Sequence, residues 1–227
     1  MTLVTLVLLT LFVGLGRWQW QRGELKAEQW RGFEAAPAPV LTENPPDFDR
    51  LPRYTRMAFH CRIDGEHQFL LENRTHAGRP GYEVLTPCAT TNDRHILVNR
   101  GWIPFEGRRD QLPDIAVTAE GRLVVSGRLD ELPVAGLPSG RAPPDATGGW
   151  PRVTTFPTHE ELQTALGRPI ARRILLLDPQ ISGIGFVREW SPPGLAPDRH
   201  FSYAIQWWGF ALVLLVLYFA LNSRKVE

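Results

Sequence analysis

The side chains able to ligate a metal, shuttle a proton or attack as nucleophiles are few: six histidines, two cysteines and carboxylates scattered along 227 residues. One histidine stands in a pattern. His200 is followed by Tyr203, Ala204 and Trp207, the i, i+3, i+4, i+7 spacing that gathers side chains on one face of a helix. A neutral imidazole there is a metal-ligand type. The same residues also describe a histidine at a membrane interface beside a belt of aromatic rings, and by themselves they favour that plainer reading. His60, His67, His76, His95 and His159 show no paired metal-ligand spacing and read as surface positions on strands and loops. Cys61 and Cys88 form no CxxC or CxxxC pair, which removes thioredoxin-like and copper-relay chemistry. Both fall in strand-like runs. Two buried free thiols are the expectation, with a disulfide in an oxidising compartment as the alternative.

Catalytic signatures are missing as well. The sequence holds no HExxH, no GxSxG, no Walker loop and no GxGxxG after a strand. No two carboxylates pair as acid and base, so a binding or assembly role is favoured over an enzyme. The formal net charge is +1 with the basic residues spread out, which argues against a nucleic-acid partner.

The elements that must position His200 begin with two apolar ends. Residues 1–20 open with MTLVTLVLLTLFVGLG, carry no charge before Arg17 and end at Trp18 and Trp20. About 20 such residues cross about 30 Å of hydrocarbon, with the tryptophans at an interface. A cleaved signal peptide would need a basic start and a small-x-small site, and neither is present. Residues 201–221, from Tyr203 to Leu221 uncharged, make a second span that Arg224 and Lys225 stop, leaving 222–227 as a tail. The lipid bilayer is therefore an expected partner. Arg17, Arg22 and Lys26 outnumber Arg224 and Lys225, a count that by itself leaves the middle of the chain in the cytoplasm. Long connecting domains obey that rule poorly.

Between the spans, 27–198 reads as one domain. The tract from Ala35 to Pro52 is too rich in proline for regular structure. From Tyr54 to Ile63 the residues alternate, with Thr55, Met57, Phe59, Cys61 and Ile63 facing inward. Further strands are expected at Gln68–Glu72, Tyr82–Pro87, His95–Ile103, Arg122–Leu129, Arg173–Asp178 and Gly185–Trp190, with turns at Asp64–Gly65 and Ala77–Gly78. Thr158 and Glu161 form a capping box for one short helix with Leu162, Ala165 and Leu166 on its apolar face and Gly167 as its stop. Pro133–Gly149 and Ser191–Asp198 are long loops. The fold expected is that of a membrane protein, two terminal transmembrane helices flanking one β-rich α+β domain, an antiparallel sheet or small barrel with a short helix. Within it Asn99-Arg100-Gly101 is either a polar contact for a partner or, as the favoured reading, a strand bend, with Trp102 in the core.

Three separated motifs resemble the SURF1 (Shy1) family of cytochrome c oxidase assembly factors. They are Gly16-x-Trp18-Gln19-x-Gln21-Arg22 with Lys26, then Gly81-Tyr82-x-Val84-Leu85-Thr86-Pro87 followed by Ile96-Leu97-Val98-Asn99-Arg100-Gly101-Trp102 and Pro104, and last His200-x-x-Tyr203-Ala204-x-x-Trp207. Their order and their coupling to two terminal spans cover nearly the whole chain. The resemblance implies a multi-pass protein of the bacterial inner membrane with its domain in the periplasm, against the charge count. It implies a non-enzymatic role in maturing the haem-copper oxidase, binding haem a and assisting its insertion into the catalytic subunit, with haem a synthase as a possible further partner. The alternative is a scaffold that stabilises the immature subunit without haem.

The same resemblance makes His200 the axial ligand of the haem iron. Tyr203 and Trp207 would then be an aromatic wall, Ala204 would leave room for a flat macrocycle, and Arg199 would pair with a propionate. Trp18 and Gln19 either line this site from the first span or serve helix packing. Asp198 departs from the Asn usual in relatives. It would either accept the second N–H of the imidazole or repel propionates.

Overall fold

The computed structural model describes residues 2–108, 111–117, 121–135 and 138–223. Arg224, Lys225 and positions 136–137 of the long loop lie outside the described residues. In chain order the elements are α1 (Thr2–Glu34), β1 (Leu41–Thr42), β2 (Arg56–Ile63), β3 (Phe69–His76), β4 (Arg79–Thr90), β5 (His95–Pro104), β6 (Arg122–Glu131), β7 (Arg152–Thr154), α2 (His159–Leu166), β8 (Arg173–Leu177) and α3 (Pro197–Ser223). The chain divides into a helical unit, Met1–Ala35 with Ser191–Glu227, and a β-rich unit, Ala36–Trp190.

In the helical unit α1 does not stop at Trp20. Residues 21–34 hold no proline and are mostly good helix formers, so the helix continues to Glu34 and ends three residues before Pro37. Thirty-three residues rise about 50 Å, well beyond a hydrocarbon core. The two helices run antiparallel. Thr2 meets the Tyr218 hydroxyl at 3.2 Å, Phe12 stacks on Trp207 at 5.7 Å, and Trp20 lies 4.8 Å from Phe201. The residues buried in this pair are small and seven apart, Gly16 with Gly23 and Ala204 with Ala211, which keeps one stripe of each helix facing the other. The rest of α3's apolar run and of the first half of α1 is apolar and open: Leu3 is 76% exposed, Leu212 65% and Phe219 59%. The core helix of a water-soluble protein would bury such residues. So continuous an apolar surface calls for an apolar solvent, and the two helices are candidate membrane spans by length and hydropathy.

In the β-rich unit five strands close into a barrel, β2–β6–β8–β5–β4 and back to β2. All its pairings are antiparallel except the parallel β5–β8 pair. Met57, Phe59 and Cys61 point into the barrel as the alternation of β2 requires, beside Ile96, Val98, Val125, Leu129 and Leu175. The opposite faces of β5 and β8 are covered too. Leu97, Ile174 and Leu176 pack under Leu162 of α2, so these strands are apolar on both sides. The capping box of Thr158 and Glu161 is present, and Gly167 ends α2 in the left-handed conformation. Ala77 and Gly78, both at positive φ, form the two-residue turn between β3 and β4.

Four expectations are corrected. The proline-rich tract is not devoid of regular structure, since Leu41–Thr42 pairs in parallel with β2 and Phe48–Arg50 makes a 3-10 turn whose Phe48 is buried. Gly185–Trp190 is not a strand. Val187 makes an isolated bridge to Trp102 and the Phe186 N–H donates to the Arg100 carbonyl, while the Arg188 guanidinium turns back to the carbonyls of Asp178, Ile181 and Phe186. The cysteines are not free: Cys61 and Cys88 are joined, with Cα atoms 5.7 Å apart. In the β2–β4 register Cys61 lies opposite Thr90 and Cys88 opposite Ile63. The burial that suggested two thiols is what brings them together when the barrel closes. Trp102, expected in the core, is only half-buried, its indole N–H donating to the Arg74 carbonyl at 3.4 Å.

Arg100 is 2% exposed and therefore no surface contact. Its guanidinium donates to Gln68 Oε1 at 2.7 Å, to the Ile115 carbonyl at 2.8 Å and to the Ile184 carbonyl, and lies 4.9 Å from the Phe186 ring. Burial pushes its pKa down to about 10. Gly101 follows at φ +114, where a Cβ would meet the Val187 carbonyl oxygen at 2.5 Å. This is the strand bend expected from the sequence.

Candidate functional site on the helical unit

His200 lies in the first turns of α3, which opens on Pro197, a residue whose fixed φ suits a helix start. Its imidazole is half-buried, and Nδ1 is 2.9 Å from Oε1 of Gln19 on α1. An amide oxygen only accepts, so this contact calls for a proton on Nδ1, which in a neutral ring leaves the lone pair on Nε2. Asp198 is exposed, and the acceptor role open to it is filled by Gln19.

Gln19 and Phe12 are seven apart on α1, as are His200 and Trp207 on α3. The polar contact therefore continues into an aromatic one along the same pair of stripes. Phe210 adds a ring 5.8 Å from Trp207 and 6.0 Å from Phe12. In a neighbouring stripe Trp20 meets Phe201 at a tilt and stacks on Trp208 at 5.7 Å, and the Trp20 indole donates to Glu24 at 3.1 Å. Ala204, between His200 and Trp207, is fully buried in the helix seam.

The expected site residues do not all gather. His200, Ala204 and Trp207 share the seam, and Tyr203 borders it at 44% exposure. Arg199 is exposed. Trp18 is 52% exposed and stands two residues from buried Gly16, hence about 200° around α1 on the side away from α3. Phe12, Phe201 and Phe210 were not singled out by sequence, and Trp20 and Trp208 were read only as aromatic residues near the ends of the spans. The seven-residue recurrence of Gly16 and Gly23 was the signal that would have shown which face of α1 they border.

The remaining histidines lie in the β-rich unit among polar partners. Asp64 accepts from Arg168 and from both the backbone and ring of His67, beside a cavity of about 580 Å³ also lined by Arg62 and His95. Burial would raise the Asp64 pKa, but the hydrogen bonds from Arg168 and His67 outweigh it and hold the carboxyl below its ordinary value. His95 is pushed down by burial and by the charge of Arg168. Among the described residues no three of His, Cys, Asp and Glu gather to hold a metal ion.

Compared with known proteins, the chain is similar over 95% of its length to a SURF1-like protein of Rickettsia felis. The two are 25% identical over an alignment of 229 residues that covers 94% of that protein. The model of the SURF1 family matches residues 6–212.

Proposed function

The chain belongs to the SURF1 family, and on that premise we propose that it binds haem a through His200 and assists its insertion into the catalytic subunit of the oxidase. Membership implies membrane association and a role in cytochrome c oxidase assembly. The observation that carries the finer reading is the setting of His200. Alone among the six histidines it sits on an apolar helix pair, with its Nδ1 proton engaged and Nε2 left as a donor. A haem iron takes such a neutral imidazole as an axial ligand.

The donor set and its surroundings fit a flat, largely apolar group. Trp207 and Tyr203 would flank the ring system and exposed Arg199 would pair with a propionate, while Ala204, fully buried, packs the helix seam. Trp18, on the far side of α1, serves in this reading as an interfacial anchor. When bound, the haem supplies the iron that the oxidase needs. The chain's own residues orient the imidazole, exclude water with aromatic rings and hold a charge at the rim. No residue is assigned a chemical step.

Both helices are read as spans of a bacterial inner membrane, with the domain on the periplasmic side. The Cys61–Cys88 bond supports that orientation, because disulfides persist in oxidising compartments. It outweighs the basic residues after the first span, since long domains cross membranes largely regardless of flanking charge.

The test is complementation. Cells deleted for this chain should make oxidase poor in haem a, restored by the unaltered chain and not by His200→Ala at equal abundance. Full restoration by His200→Ala would sink the haem reading. It would favour the scaffold role, in which the chain holds the immature subunit without haem.

A further inference from the structure

Along the helix seam, polar contacts mark both ends, Thr2 with Tyr218 and Lys26 with the Pro193 carbonyl, while aromatic rings and small residues fill most of the length between. The Gln19–His200 contact interrupts that apolar run. We infer that Gln19 is the positioning residue for His200, fixing the imidazole as its Nδ1–H tautomer and so aiming the Nε2 lone pair. What Nε2 binds rests on the haem reading above; the tautomer does not.

Three features of the pair support this. Gly16 and Gly23 bracket Gln19 at three residues before and four after, on the stripe where α1 approaches α3. A Cβ at Gly23 would lie 2.6 Å from the Phe201 ring. That close approach lets a side chain as short as glutamine span from one helix to the other. The acceptor is also neutral. It orients the ring without placing a second charge in an apolar seam, where an unpaired charge is costly. Lastly, a ligating histidine ordinarily gives its other N–H to such an acceptor, which sets the tautomer. Ligand and orienter stand on different helices, so the ligand is prepared only when α1 and α3 are paired.

The experiment uses the full chain in detergent with 15N-labelled histidine, His200 being assigned by its loss in His200→Ala. His200 should read as the Nδ1–H tautomer. Gln19→Leu, which keeps the bulk and removes the acceptor, should move it towards the Nε2–H form that free imidazoles prefer, and Gln19→Glu should restore Nδ1–H. An Nε2–H signal in the unaltered chain, or one that Gln19→Leu leaves unmoved, overturns the inference. Titration of the same proteins with extracted haem a gives the second arm. Gln19→Leu should bind about 10–100-fold more weakly, the usual loss for an outer partner of a ligand. If the tautomer moves but only His200→Ala weakens haem binding, Gln19 is no positioning residue. If His200→Ala binds haem a as well as the unaltered chain, the haem reading fails while the tautomer result stands by itself.

Discussion

Gly23 of α1 lies flat against Phe201 of α3, so close that a methyl group on Gly23 would come within 2.6 Å of the ring. The same holds seven residues earlier, where a Cβ on Gly16 would run into the Trp208 indole. The helix pair is thus built on the absence of side chains at two positions, and everything at the His200 site depends on that approach.

Gly23→Val should push the helices apart and weaken their pairing by about 1–3 kcal/mol, the usual cost of overpacking. The check is titration with SDS, followed by tryptophan fluorescence. Gly14→Val is the control, since nothing lies within 4 Å of a Cβ there and pairing should be unchanged.

The bond between Cys61 and Cys88 spans a sequence separation of 27 residues across the closing pair of the barrel. Replacing both cysteines by alanine should lower stability by about 3–4 kcal/mol on the chain-entropy account. Denaturant unfolding of the full chain measures it. A maleimide reagent applied to the unfolded, unreduced chain should label no thiol.

The helix pair shows where sequence reading reached and where it stopped. The apolar runs and the His200 spacing were legible because they are periodic along one segment. Their rotation about the helix axis was not, so Trp18 and Gln19 looked equivalent. One proved to face away from α3 and the other to bond His200. The alternation of Met57, Phe59 and Cys61 gave the inner face of β2, and Thr158 with Glu161 gave α2 with its cap. Closure of the barrel through β2–β4 and the parallel seat of β8 beside β5 depend on contacts far apart in sequence. With them went the disulfide, which local pattern cannot reveal.

Arg100 holds Gln68, Ile115 and Ile184 together from inside the fold. Arg100→Ala would take the donor from the Ile184 carbonyl, while Gln68 Oε1 keeps Thr86 and the Ile115 carbonyl keeps the Gln68 amide, so it should cost about 1–3 kcal/mol, the range for one unsatisfied buried group. Arg100→Lys keeps a donor but loses the fork, and should recover only part of the loss. Thermal unfolding of the full chain decides between these outcomes.

Acid should destabilise the β-rich unit in two windows. His95 has its folded pKa lowered from an ordinary 6.5, so the folded form binds its proton less well than the unfolded one. Its stabilising share is whole above 6.5 and is lost as pH falls from there through the folded value. Asp64, lowered from 3.8, contributes above that value and loses its share as pH falls through its own folded pKa. In melting profiles against pH, His95→Gln should flatten the first slope and Asp64→Asn the second.

The central claim is that His200 ligates haem a, and the visible spectrum of the full chain purified from cells that make haem a tests it most directly. The account predicts a bound haem a spectrum for the unaltered chain and its loss in His200→Ala, with the protein still folded and membrane-associated. Equal haem a in both preparations, or none in the unaltered chain, would contradict it.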